Sequence, residues 1–174
     1  MGASGAGKSL FLRAIADLDP NDGEALVDGT ARSKMPAFEW RRRVALVPAE
    51  SGWWADNVVE HFVPGLADTT MLEALGVPAD ALGWAVSRLS SGERHRLAII
   101  RALSRKPKAI LLEEPSASLD AKSTTLLESV LRDELARGTA ILLITHDPAQ
   151  ADRLARRTLM MADGRIAEGQ GVAK

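Results

Sequence analysis

The chain contains no cysteine. Disulfides and thiolate metal sites are therefore excluded, and the composition is compatible with a reducing compartment. An excess of one charge sign is also lacking: 22 lysines and arginines against 23 aspartates and glutamates leave a net charge of −1. No global attraction to nucleic acid or anionic lipid follows, and no nucleic-acid partner is expected. No apolar run approaches the roughly 20 residues that span a bilayer. Met1 leads directly into a glycine-rich loop, so no signal peptide is expected. Repeats and low-complexity tracts are missing as well. What is there, 174 residues of which 46% are hydrophobic and 26% charged, suits one globular domain able to bury a substantial core.

The stretch around which the rest is organised is Gly2-Ala3-Ser4-Gly5-Ala6-Gly7-Lys8-Ser9, which fits G-x-x-x-x-G-K-[ST]. Glycines let the backbone curl so that successive N–H groups point into one hollow, a nest for an anion. Lys8 can reach β- and γ-phosphates, and the Ser9 hydroxyl can sit on a magnesium ion. Leu10 to Ile15 continue as a helix whose positive end faces the same phosphates. A loop of this kind follows a buried strand, yet only Met1 precedes it here, so the reading expects the chain to lack its first strands.

Farther along, Asp19 to Gly23 reads as a turn, Glu24 to Gly29 as a short strand, and residues 30–40 as polar and mixed, with Pro36 breaking any helix. Arg43 to Val47 reads as a buried strand stopped by Pro48. Residues 50–106 change character to short helical segments, ending in a stronger helix from Gly92 to Ser104. Ala109 to Leu112 and Ala140 to Ile144 are continuous apolar runs, as in parallel strands covered on both faces. Between them lies a helix from about Asp120 to Arg137, with Gly138 just past its end. Asp147-Pro148 starts another helix, and Asp163-Gly164 marks a hairpin. The alternation predicts an α/β fold, a mostly parallel sheet with helices on both faces and an inserted helical subdomain. The expected division is a core of 1–49 and 107–174 and a subdomain of 50–106.

Two acids, Glu113 and Glu114, follow the first apolar run. Ligands collect at the carboxyl ends of parallel strands, so these should face the phosphate loop. One can hold magnesium, and the other can orient or deprotonate an attacking water. His146, at the end of the next strand, offers an imidazole on the same rim. Ser90, Ser91, Gly92 and Glu93 open a helix and form a second anion-binding start; an ordinary N-cap explains them equally. Trp53 and Trp54 either line a groove for a partner helix or pack the subdomain. The clusters Arg41 to Arg43, Arg105 to Lys108 and Arg153 to Arg157 read as solvated faces.

In order and spacing these motifs resemble the ATP-binding subunit of an ABC transporter. Gly2 to Ser9 is similar to its Walker A loop, Leu89 to Glu93 to its signature, Ile110 to Glu114 to Walker B, Ser116 to Asp120 to the D-loop and His146 to its switch histidine. The resemblance implies the P-loop NTPase fold and an ATPase using ATP and Mg2+. It implies Glu114 as catalytic base, His146 as a γ-phosphate contact, and nucleotide binding by Gly2, Ser4, Gly5, Ala6, Gly7, Lys8, Ser9 and Leu10. It implies magnesium held by Ser9 and Glu113. It further implies a second ATP-binding subunit, homo- or heterodimeric, onto whose nucleotide Ser90, Ser91, Gly92 and Glu93 close. A transmembrane permease would hold the protein at the cytoplasmic face of the membrane.

There are departures from the pattern. Ala49 stands where the family has glutamine, Glu113 where it has aspartate, and Leu10 where a threonine is common; Ser91 and Glu93 alter the signature. These motivate a rival reading, a degenerate, non-catalytic nucleotide-binding module. The other rival is a soluble ABC ATPase of DNA repair or translation. Only about forty residues separate Ala49 from the signature, leaving no room for the long insertions of some repair members.

Overall fold

A computed structural model describes residues 1–168 and resolves seven strands and six α-helices among them. The strands are β1 (Leu26–Val27), β2 (Thr30–Ala31), β3 (Val44–Val47), β4 (Ala109–Glu113), β5 (Ala140–Ile144), β6 (Leu159–Ala162) and β7 (Arg165–Glu168). The helices are α1 (Lys8–Ile15), α2 (Ala37–Arg43), α3 (Thr69–Ala74), α4 (Ser91–Leu103), α5 (Ala121–Ala136) and α6 (Pro148–Leu154). The two apolar runs form β4 and β5, and β3, β4 and β5 pair in that order, all parallel. Register sets Ala45 beside Ile110 and Ile110 beside Ile141, which aligns the carboxyl ends of β3, β4 and β5 on one rim. The pairs β1–β2 and β6–β7 are antiparallel.

Side chains of β4 alternate between two cores, as the period of a strand requires. Leu111 joins Leu12 of α1, Trp40 of α2, Val44 and Ile144 on one face. Ile110 and Leu112 join Leu97 and Ile100 of α4 and Leu127 and Leu131 of α5 on the other. The second core extends without a break into residues 58–89, through Val58, Phe62, Leu72, Leu75 and Ala81. Besides α3 and the start of α4, that region is built of short 3-10 turns at 58–61, 79–83 and 86–88.

Caps end the helices where the sequence indicates. Asp120 accepts from the Ser123 N–H at 2.7 Å, and Asp147 accepts from Ala149 N–H at 2.9 Å, with Pro148 in the first turn. Asp163 and Gly164, both at positive φ (47° and 71°), turn the β6–β7 hairpin.

Two expectations need correction. Residues 30–40 do hold a helix: most of α2 lies there after β2, and the strand begins at Val44 because Arg43 still belongs to that helix. Pro36 precedes α2 rather than breaking it, since a proline at a helix start gives up no needed N–H. Arg153, Arg156 and Arg157 are exposed, as a solvated face requires, and Arg153 in addition makes a bidentate pair with the buried Glu128, at 2.7 and 2.8 Å. No helix of the described residues is long and apolar enough to cross a membrane.

Candidate active site

The glycine loop wraps the amino end of α1. Gly7 takes the N-cap position at φ 95°, and with no side chain it leaves the first-turn N–H groups uncapped. No acidic residue occupies that turn, so the helix start is open to an anion. Gly2 packs against the hairpin so closely that a Cβ there would lie 2.1 Å from the Met161 carbonyl oxygen. Gly164 N–H donates to the Ala6 carbonyl at 3.2 Å, fixing the loop from the same side. Ala6 is buried, whereas Ser4, Gly5 and Leu10 face solvent. Lys8 folds back over the loop, its ammonium donating to the carbonyls of Gly2 and Ala3, each at 2.8 Å.

The carboxyl end of β4 meets this loop. Ser9 Oγ donates to Glu113 Oε1 across 104 residues of sequence, so the two expected magnesium ligands touch. A hydroxyl and a carboxylate are hard oxygen donors and suit magnesium. Among the described residues no three His, Cys, Asp or Glu side chains converge on one point. A cation here would therefore draw its remaining ligands from phosphate oxygens and water, as magnesium commonly does. The residues present fit that ion.

Glu114 follows with φ 47°, in the left-handed region that a residue with a Cβ adopts at a cost of about 1–3 kcal/mol. The turn is held by its own N–H, which donates to the Ile144 carbonyl at 2.9 Å. It also swings the side chain toward the end of β5. There Oε2 accepts from the His146 N–H at 3.4 Å, and Oε1 lies 3.3 Å from His146 Nε2. That second approach is close but poorly aligned, so the buried Oε1 has no hydrogen-bond donor. An acceptor in this state at a strand terminus is suited to a water proton.

Ser90, Ser91, Gly92 and Glu93 begin α4 as a capping box. Glu93 N–H donates to Ser90 Oγ at 3.2 Å, and Glu93 Oε2 accepts from the Ser90 N–H at 2.9 Å and from Ser90 Oγ at 2.8 Å. The backbone and side-chain hydrogen bonds from Ser90 hold the Glu93 carboxyl below its ordinary range. Gly92 lies against the loop after β4, where a Cβ would be 3.0 Å from the Ser118 carbonyl oxygen. Gly92 thereby seats the start of α4 on the loop that follows Glu114.

Sequence reasoning missed His95, one turn into α4. Its ring faces the Ala49 backbone just past the end of β3, and burial outweighs that neighbour and pushes its pKa down. Nε2 of His95 is buried with no partner. A histidine in a run of arginines and glutamate gives no sign of burial. Trp53 packs against the larger core, whereas Trp54 is 70% exposed. Arg101 lies over both rings, 4.9 and 4.8 Å from their centroids.

Comparisons with known proteins agree with this arrangement. A family model described as ABC transporter matches residues 1–117. The Fe(3+) ions import ATP-binding protein FbpC of Streptomyces coelicolor is 36% identical, covering 97% of the chain and 52% of its own length. Aliphatic sulfonates import ATP-binding protein SsuB 2 of Paracoccus denitrificans is 39% identical over 99% of the chain and 69% of its own length. The chain thus spans about half the length of the first relative and about two thirds of the second. Among solved structures, a bacterial Atm1-family ABC exporter with ATP bound superposes with a TM-score of 0.81 at 24% identity, over 96% of this chain and 32% of that one. A dimeric post-hydrolysis state of an ATP-binding cassette bound to ADP and Pi gives 0.77 at 23% identity, over 98% and 84%. At these identities the structures establish the fold.

Proposed function

This chain belongs to the ABC transporter family, and we propose that it binds and hydrolyses ATP to energise a separate transmembrane permease. The observation that carries the reading is the meeting of the glycine loop, Glu113, Glu114 and His146 on one rim. The loop N–H groups and Lys8 receive the β- and γ-phosphates, with Lys8 exchanging its bonds to Gly2 and Ala3 for phosphate oxygens. Ser9 and Glu113 hold magnesium, which when bound supplies charge neutralisation to the phosphate oxygens. Glu114 orients the attacking water and takes its proton through the undonated Oε1, and His146 contacts the γ-phosphate beside it.

The remaining features fit the same assignment. Residues 1–49 and 107–168 form the ATPase core, the rest of the expected 107–174 lying outside the described residues, and 50–106 form the subdomain carrying Ser90 to Glu93. Ser90 to Glu93 close on the nucleotide of a second ATP-binding subunit, a reading supported by the dimeric state of the ATP-binding cassette that this chain resembles in fold. The permease holds the pair at the cytoplasmic face of the membrane. Relatives named for Fe(3+) ions, aliphatic sulfonates and phosphate import favour an importer whose cargo is selected by the permease.

The experiment is a titration with ATP and magnesium, followed by phosphate release, for the wild type, Lys8→Ala and Glu114→Gln. Binding lost in the first variant and turnover lost in the second are the expected results. Wild-type binding without any turnover, with or without a permease, would assign the chain to the non-catalytic rival.

A further inference from the structure

Gln150 of α6 is fully buried and takes no part in the steps assigned to Glu114 and His146. A buried amide costs free energy unless its donors and acceptor are matched, and an apolar side chain would fill the same space without that cost. Its partner is Ser116, 34 positions earlier in the chain. Gln150 Nε2 donates to the Ser116 hydroxyl at 3.0 Å, and the same hydroxyl lies 3.3 Å from Oε1. Glu128 of α5, also buried, faces the amide as well. Its carboxyl is held below the ordinary range by the Arg153 guanidinium above all, with Gln150 the smallest contributor.

Ser116 stands two residues past Glu114, in the loop that leads from β4 to α5. Glu114 takes its left-handed turn at φ 47°, a conformation that persists only where the surroundings hold it. Its N–H is tied to the Ile144 carbonyl at 2.9 Å, and its own carbonyl accepts from the Ala117 N–H at 3.1 Å. Pro115 has no N–H to give, so the Ser116 hydroxyl is the loop's first side-chain link to another element. Helix α6 is fixed to α5 by Arg153 and Glu128, at 2.7 and 2.8 Å. It begins two residues after His146, whose N–H reaches Glu114 Oε2. The bonds close a circuit from Glu114 through Ser116, Gln150 and His146 back to Glu114.

We propose that Gln150 is a positioning residue for hydrolysis: by holding Ser116 to α6 it fixes the loop that carries Glu114, and so keeps that carboxylate in register with His146 and the attacking water. The inference rests on the reading of Glu114 as general base. Gln150 acts only through Ser116, so its loss moves the base without removing a phosphate contact. A misplacement of about 1 Å can cost about 10²-fold in rate. The glycine loop and Lys8, which set nucleotide affinity, form no part of the circuit.

The test measures ATP turnover and KM for the wild type, Gln150→Met, Ser116→Ala and Ser116→Thr. Methionine keeps the length of the side chain and removes the amide, alanine removes the hydroxyl, and threonine retains it. Gln150→Met and Ser116→Ala should each lower kcat about 10–100-fold with KM within about twofold, the split expected of an interaction that serves the transition state. Ser116→Thr should recover most of the lost rate. The double variant should fall no further than either single one, because both break the same bond. In a Glu114→Gln background, Ser116→Ala should leave the residual rate unchanged. If Gln150→Met fails to fold, the two Ser116 variants carry the test. Additive losses, a Ser116→Thr as slow as Ser116→Ala, or a loss carried by KM would overturn the inference. A wild type without turnover overturns the reading of Glu114 and this inference with it. Turnover that is lost in Glu114→Gln but normal in Ser116→Ala overturns this inference alone.

Discussion

Glu114 Oε2 accepts from the His146 N–H at 3.4 Å while Oε1, 3.3 Å from the His146 ring, is buried without a donor. One carboxylate oxygen is thus tied to the end of β5 and the other is left for chemistry. Glu114→Gln keeps the shape and the first contact but removes the base. Turnover should fall about 10²–10⁴-fold with ATP affinity nearly unchanged. Steady-state phosphate release checks it, and near-normal turnover would remove Glu114 from the assigned role.

Lys8 holds two carbonyls of its own loop, so its position is preset before any phosphate arrives. Lys8→Ala should weaken ATP binding about 10–100-fold, the worth of one or two hydrogen bonds to a charged group. Calorimetric titration measures it. Equal affinity in both proteins would mean that residues 2–9 are not the phosphate site.

Ala49 and Glu50 lie at the end of β3, both exposed. Glutamine at 49 would add a magnesium ligand and a hydrogen bond to the attacking water. Ala49→Gln should raise magnesium-dependent turnover severalfold in the presence of the permease if the site lacks only that oxygen. No change there, with collapse in Glu50→Ala, would identify Glu50 as the substitute. Indifference to both would show that this loop does not sense magnesium.

Stability should depend on pH through Glu128. The side-chain hydrogen bond from Arg153 is the largest of the effects holding its carboxyl below the ordinary range, followed by the charges of Arg153 and Arg132. A depressed folded-state pKa stabilises above the unfolded value of about 4.3 and ceases to as pH falls through the folded value. Glu128→Gln should therefore cost about 1–3 kcal/mol at pH 7, with the deficit shrinking below about pH 4. Urea unfolding at several pH values tests this; a deficit independent of pH would mean that the pair contributes only packing.

Much of the fold was legible because its signals are local. The apolar runs of β4 and β5, the caps Asp120 and Asp147 and the Asp163-Gly164 turn each declare themselves within a few residues. The glycine loop and the paired acids were legible through spacing. Helix α2 was not, because Pro36 reads as a breaker until the chain on its far side is seen to be helical. Nor were the pairing of Arg153 with Glu128 and the approach of His95 to Ala49, which join residues 25 and 46 positions apart. Sequence periodicity carries no record of contacts at such range. Lys8 was read by its destination, and its resting bonds to Gly2 and Ala3 emerged only from the loop's curvature.

The capping box at the start of α4 has a consequence for anion recognition. A hydroxyl carries a single proton, and that of Ser90 is already given to Glu93 Oε2. A phosphate arriving at this helix start therefore meets a rival of its own sign, competing for the same proton. Contact requires the hydroxyl to rotate away from Glu93, which leaves the carboxylate with the Ser90 N–H alone. Ser90 is thus a latch whose release is opposed by the neighbour that caps it.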